Sequence, residues 1–109
     1  MAQNYKVLGQ IAPSATTATA IYTVPAATEA VVSSITVCER GGSAGTFRLA
    51  VRPNGATLAN EHYIVYDAAV SANDTIILTV GLTLDAADVV TVYASSANLS
   101  FAAFGSEVT

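Results

Sequence analysis

The feature that most constrains this chain is a two-residue alternation of apolar and polar side chains, recurring in short runs that turn residues interrupt. No stretch keeps a helical apolar period over two turns, so almost no helix is expected. In Thr46 to Arg52, Phe47, Leu49 and Val51 point one way and Arg48 and Arg52 the other, and Pro53-Asn54-Gly55 ends the run with a turn signal. Ala30 to Glu39 is rich in Val, Ile and Thr, with Val31, Ser33, Ile35 and Val37 predicted on one face. The loop Arg40-Gly41-Gly42-Ser43-Ala44-Gly45 joins these two runs in a hairpin-like connection.

Further runs span Asn4 to Leu8, Ala20 to Val24, Glu61 to Tyr66, Thr75 to Val80, Val89 to Ala94 and Leu99 to Phe104, which makes eight short strands in all. Their spacing of roughly ten residues is that of a sandwich or barrel. The fold expected is all-β: a single antiparallel β-sandwich, jelly-roll or immunoglobulin-like, with an extended N-terminal arm. The predicted core is Ile35, Val37, Phe47, Leu49, Val51, Ile76, Leu78, Val80, Val90, Val92, Leu99 and Phe101.

Composition supports the sheet. Ala supplies 21 of the 109 residues and Val and Thr 13 each, so the apolar bulk lies in small and β-branched side chains. Only 11% of residues are charged, less than half the usual fraction of about 25%, which excludes intrinsic disorder. The length fits one domain, with residues 1–19 as first strand, arm and loop and residues 20–109 as the sandwich. Pro13 to Thr19 lacks alternation and reads either as a mobile linker or as an arm that orders only on a neighbouring subunit, since Tyr5, Val7, Leu8 and Ile11 are too apolar for a free tail. A surface of Ser, Thr, Asn and Ala with few charges suits a protein packed against other chains.

The four basic residues, Lys6, Arg40, Arg48 and Arg52, form no stripe, so nucleic-acid binding through phosphate neutralisation has little to work with. No segment approaches the roughly 20 apolar residues that span a bilayer. Ala18-Thr19-Ala20 imitates a signal-peptidase site without a hydrophobic region before it, so action without general secretory export is expected and the sequons at Asn73 and Asn98 carry little weight. Cys38 is alone, which excludes an intramolecular disulfide.

Catalytic groups are scarce. His62 is the one imidazole, predicted mid-strand and facing solvent or an interface, and Cys38 reads as a buried small hydrophobe. Asp85, Asp88 and Asn73-Asp74 make oxygen-rich corners without the spaced pattern of a calcium loop, and Asp is common in β turns. The Gly41 to Gly45 loop has neither a Lys nor a following helix, and is a turn. No cofactor, no metal and no enzymatic activity are expected.

The text Ile21-Tyr22-Thr23-Val24-Pro25-Ala26, then Ala30 to Cys38 and a Gly-rich turn, resembles small β-sandwich virion proteins of tailed bacteriophages. Ser71 to Thr75, Leu82 to Val90 and the closing Ala94 to Phe101 agree with it, so the resemblance covers about Tyr5 to Val108; Glu39-Arg40 follow Cys38 where the family has Asn or a similar residue. The resemblance implies a capsid decoration (cement) protein, homo-oligomeric and commonly trimeric, on the capsid exterior and in contact with the major capsid protein. The alternative is a tail or fibre component, or a receptor- or glycan-binding adhesion module. Tyr5, Lys6, Val7, Leu8, Arg48 and Arg52 are the candidate interface residues, with the N-terminal arm and the two arginines bridging neighbouring subunits.

Overall fold

A computed structural model describes residues 2–109; Met1, the first residue of the expected arm, lies outside the described residues. Eight strands form: β1 (Gln3–Ile11), β2 (Thr19–Thr23), β3 (Glu29–Glu39), β4 (Gly45–Arg52), β5 (Tyr63–Val70), β6 (Thr75–Leu84), β7 (Val89–Ala94) and β8 (Leu99–Val108). The only helical turns among the described residues are short 3₁₀ turns at Pro53–Gly55 and Asn60–His62. His62 therefore lies in the turn before β5, not within a strand. There its Nδ1 accepts the Ala59 N–H at 3.0 Å.

The strands make two four-stranded antiparallel sheets, a first sheet in the order β1-β8-β3-β6 and a second in the order β2-β7-β4-β5. The chain thus wraps as a folded-over hairpin, with β1 beside β8 and β2 beside β7. This is jelly-roll order, and it excludes the immunoglobulin-like alternative.

The two inner faces supply the core. Phe47 and Leu49 on β4, Val90 and Val92 on β7, Ile35 and Val37 on β3, and Leu99 and Phe101 on β8 are buried together. The Phe47 and Phe101 rings meet edge-on with centroids 6.2 Å apart. Each such side chain contributes about 1.5–3 kcal/mol of burial free energy, so the alternation in the sequence is the main stabilising pattern. Val51, Ile76, Leu78 and Val80 pack against this core but remain half-buried, the last three because β6 is an edge strand.

Two expectations change at β-bulges. In β3 the register slips between Val32 and Ser34, so Ala30 and Val32 face inward while Val31 and Ser33 face out, and the inward phase resumes at Ile35. In β1 the register slips at Leu8, between Val7 and Gly9. The run Asn4 to Leu8, expected as a strand, lies in the edge strand β1, hydrogen-bonded to β8 of its own chain. Pro13 to Thr19, expected as a mobile linker or a neighbour-ordered arm, falls in the loop from Ala12 to Ala18 and the start of β2, where the Thr16 N–H donates to the Ala94 carbonyl at 2.8 Å. At Gly9 the two sheets touch: a Cβ there would stand 2.2 Å from the Ile21 carbonyl oxygen, so only glycine lets β1 approach β2.

Candidate interaction surface

The pairing register lays out the outer face of the first sheet in rows. Tyr5, Ser106, Val31 and Thr83 form one row, and Val7, Phe104, Ser34 and Thr79 the next. Gln10, Ala102, Thr36 and Ile77 form a third. Among the described residues, Glu29, in the end row with Gln3 and Val108, is the one formally charged residue that points out from this face. Tyr5 is 80% exposed and Ile77 67%, and Val7 and Val31 are also open to solvent. Tyr5, Val7, Val31, Ser33, Phe104 and Ser106 line a shallow concavity of about 580 Å³, and Gln3, Gly105 and the Glu107-paired Lys6 also reach it. Small and apolar side chains without charge make a surface that loses little on desolvation.

Lys6 lies between Tyr5 and Val7 but turns to the opposite side of the strand, where its Nζ is 3.1 Å from Glu107 Oε1. The Tyr22 hydroxyl donates to the other oxygen, Glu107 Oε2, at 2.5 Å. The Tyr22 hydroxyl, with Lys6, holds the buried Glu107 carboxyl below the ordinary carboxylate range, and burial beside that carboxylate pushes the Tyr22 phenol up. Leu8, at the bulge, packs against the core. The N-terminal candidates therefore split: Tyr5 and Val7 face out, Leu8 packs on the core, and Lys6, still half-exposed, is tied to Glu107.

The outer face of the second sheet is built differently. Arg48 donates through Nε to Asp67 Oδ1 at 2.7 Å and through an Nη to Oδ2 at 3.3 Å. Its guanidinium stacks over the Tyr66 and Tyr93 rings, 4.2 Å from each centroid. Tyr63 meets Tyr66 edge-on at 4.9 Å. Arg52 donates to Thr91 Oγ1 at 3.0 Å and to the Ala56 carbonyl at 3.1 Å. Expected as free bridging cations, both arginines are half-buried and tied into their own sheet, on the side of the sandwich away from Tyr5 and Val7.

The other polar candidates serve turns. Asp88 accepts the Asn54 N–H at 2.8 Å and the Asp85 N–H at 2.9 Å, Asp85 accepts the Ala86 N–H at 2.8 Å, and Asp74 accepts the Thr75 N–H at 2.8 Å. Cys38, expected buried, is half-exposed on the outer face of the first sheet. The residue beside it is the inward one. Glu39, 2% exposed, accepts backbone N–H groups from Gly41 at 2.8 Å, Gly42 at 2.9 Å and Asn73 at 3.0 Å. These bonds, that of Asn73 first, hold its carboxyl below the ordinary range against the opposing effect of burial. One carboxylate thus pins the β3–β4 loop to the β5–β6 turn.

Sequence reasoning missed Phe104, Val31 and Ile77 as surface residues and the two buried glutamates as anchors. Strand phase carried a signal for the anchors, because Glu39 follows Ile35 and Val37 at two-residue steps and Glu107 follows Phe101 and Ala103 on the same phase of β8. No protein-family model and no curated protein matches this chain.

Proposed function

We propose that this chain is a non-enzymatic structural protein of a tailed-bacteriophage virion, a capsid decoration protein that oligomerises on the outside of the capsid lattice and stabilises it. The observation that carries this reading is the nearly uncharged outer face of the first sheet, with Tyr5, Val7, Val31 and Phe104 gathered on it. Interface cores are depleted in charge and enriched in aromatic residues. A face of this kind gains affinity by repetition, because many modest contacts held on one lattice sum to tight occupancy.

The reading departs from a bridging arm and bridging arginines. The contact surface is the sheet face, and the second sheet, whose arginines are bonded within the chain, looks away from the capsid. The jelly-roll order is shared by viral capsid and lectin domains, so it supports this reading without selecting it from among others. The trimer belongs to the same proposal through the resemblance to phage virion proteins.

Quantitative mass spectrometry of purified virions, with localisation by electron microscopy, is the test. Hundreds of copies per particle on the capsid are expected. A handful of copies at the tail or fibres, together with binding of the purified protein to cells or polysaccharide, would overturn the capsid assignment in favour of an adhesion module.

A further inference from the structure

A sandwich of this kind has four edge strands, and three of them are blunted. The β1 edge carries Lys6 and a bulge at Leu8 and leans on β2 at Gly9. The β2 edge is five residues long, has its own register shift and is followed by Pro25. The β5 edge shifts register twice against β4 and holds Asp67 at φ 52°. Charges, bulges, brevity and proline are the devices by which edges avoid pairing with other chains.

The fourth edge, β6, has ten residues, with no charge and no proline, and hydrogen-bonds only to β3. Its one irregularity, Gly81 at φ +58°, leaves Thr75 to Val80 regular. Both faces of this strand are unfinished. Ile77 projects from the outer face, and on the inner face Ile76, Leu78, Val80 and Leu82 remain half-buried.

We propose that β6 pairs with β6 of a second copy of this chain, antiparallel about a two-fold axis through Ile77, joining the two first sheets into one. The self-complementarity of the sequence selects a second copy as the occupant. Thr75-Ile76-Ile77-Leu78-Thr79 has the same order of residue classes in both directions, Ile76 and Leu78 exchanging places, and a two-fold antiparallel pair sets each residue against its mirror position. Ile77 then covers Ile77 of the partner, Thr75 faces Thr79, and on the inner face Ile76 meets Leu78, extending the hydrophobic layer that the edge leaves incomplete. This inference goes beyond the virion reading and does not depend on it. On a capsid, the same contact would join neighbouring trimers.

Sedimentation velocity and native mass spectrometry of the purified protein test it. The assembly is expected at an even multiple of the 11.1 kDa chain mass. Ile77→Lys, which sets two ammonium groups face to face at an exposed position, is expected to halve that mass and weaken association at least about tenfold, with unchanged circular dichroism. For a measurement independent of that variant, Ile77→Cys in a Cys38→Ser background is expected to cross-link to a covalent dimer with a short bismaleimide. Thr83→Cys in the same background stays uncross-linked, since the two-fold would separate the paired sites by roughly 40 Å. A monomer or an odd-numbered assembly, a mass that Ile77→Lys leaves unchanged, or equal cross-linking at positions 77 and 83 overturns the proposal.

Discussion

The two sheets of this sandwich share one core and finish their outer faces in opposite ways. On the second sheet, Arg48 has a carboxylate in its fork and a tyrosine ring on each side, and Arg52 is bonded to a hydroxyl and a carbonyl. Every strong group there has an internal partner. On the first sheet the outer side chains are threonines, serines, alanines and a few large apolar residues, and Tyr5 and Ile77 cover nothing within the chain. A low charge count averaged over the whole chain therefore conceals an asymmetry. Apart from Glu29 in the end row, the charges go to the second face, to the turns, to two internal anchors and to Lys6 beside one of them, which leaves the first face with little desolvation cost.

The largest effect that follows is on binding. Tyr5→Asp with Val7→Asp places charge on the β1 side of the neutral face, beside Phe104 and Ser106 of β8, and capsid occupancy is expected to fall at least about 100-fold, read by co-sedimentation with particles. Because both side chains are exposed, stability in urea is expected to change by less than about 0.5 kcal/mol. Undiminished occupancy would show that the neutral face is not the contact surface. Next comes Gly9→Val, which drives a side chain into the Ile21 carbonyl where the sheets meet and is expected to cost about 2 kcal/mol or more in urea unfolding. Hydrogen exchange should then accelerate in β1 before it does in β4. Uniform acceleration would mean that β1 is not a separable part of the binding face.

The alternation legible in the sequence located all eight strands but only eight of the seventeen buried core residues, those on β3, β4, β7 and β8 where inward positions recur at two-residue steps, and it missed the whole β2 contribution of Ile21, Tyr22 and the following Val24. It misplaced Val31 and Ser33 and did not anticipate the bulge at Leu8. A bulge is set by the register of the partner strand, and nothing local to Val32-Ser33-Ser34 announces one. Residue class also misled at Lys6, Arg48 and Arg52. Cations read as solvent-facing hooks, yet each has a partner distant in sequence, Glu107, Asp67 and Thr91 respectively. Tyr5 and Val7, singled out in the sequence as interface candidates, are large apolar residues that the fold leaves exposed.

The buried anchors predict a stability optimum bounded on both sides. Glu39 and Glu107 titrate below the ordinary value of 4.5 in the folded chain. As pH falls below about 4.5 the unfolded chain takes up these protons first, so stability is lost progressively through the folded values. Tyr22 titrates above its ordinary 10.0, so the folded chain keeps a proton that the unfolded chain releases, and stability falls again as pH rises past 10.0. Thermal melts across this range should show the plateau; Glu107→Gln should make both limbs shallower, the alkaline one in part because burial is the larger cause of the Tyr22 shift, while Glu39→Gln affects only the acid one. An alkaline limb unchanged in Glu107→Gln would detach Tyr22 from it.

The smallest effect expected is the one that best tests how the second face is finished. Arg48→Lys keeps the charge but replaces a planar fork by a point charge, so one of the two bonds to Asp67 is lost together with the flat contact on both tyrosine rings. If charge neutralisation alone completed this face, the melting temperature would not move and the variant would respond to salt like the parent. Completion by stacking and bidentate geometry instead predicts a melting temperature a few degrees lower, together with greater salt sensitivity, since the remaining ion pair is more solvated. Capsid occupancy should stay at the parent level in the same preparation, because the proposed contact is through the first sheet and the altered face is on the second. A loss of occupancy without a loss of stability would assign the contact to the second sheet and reverse the comparison between the two faces.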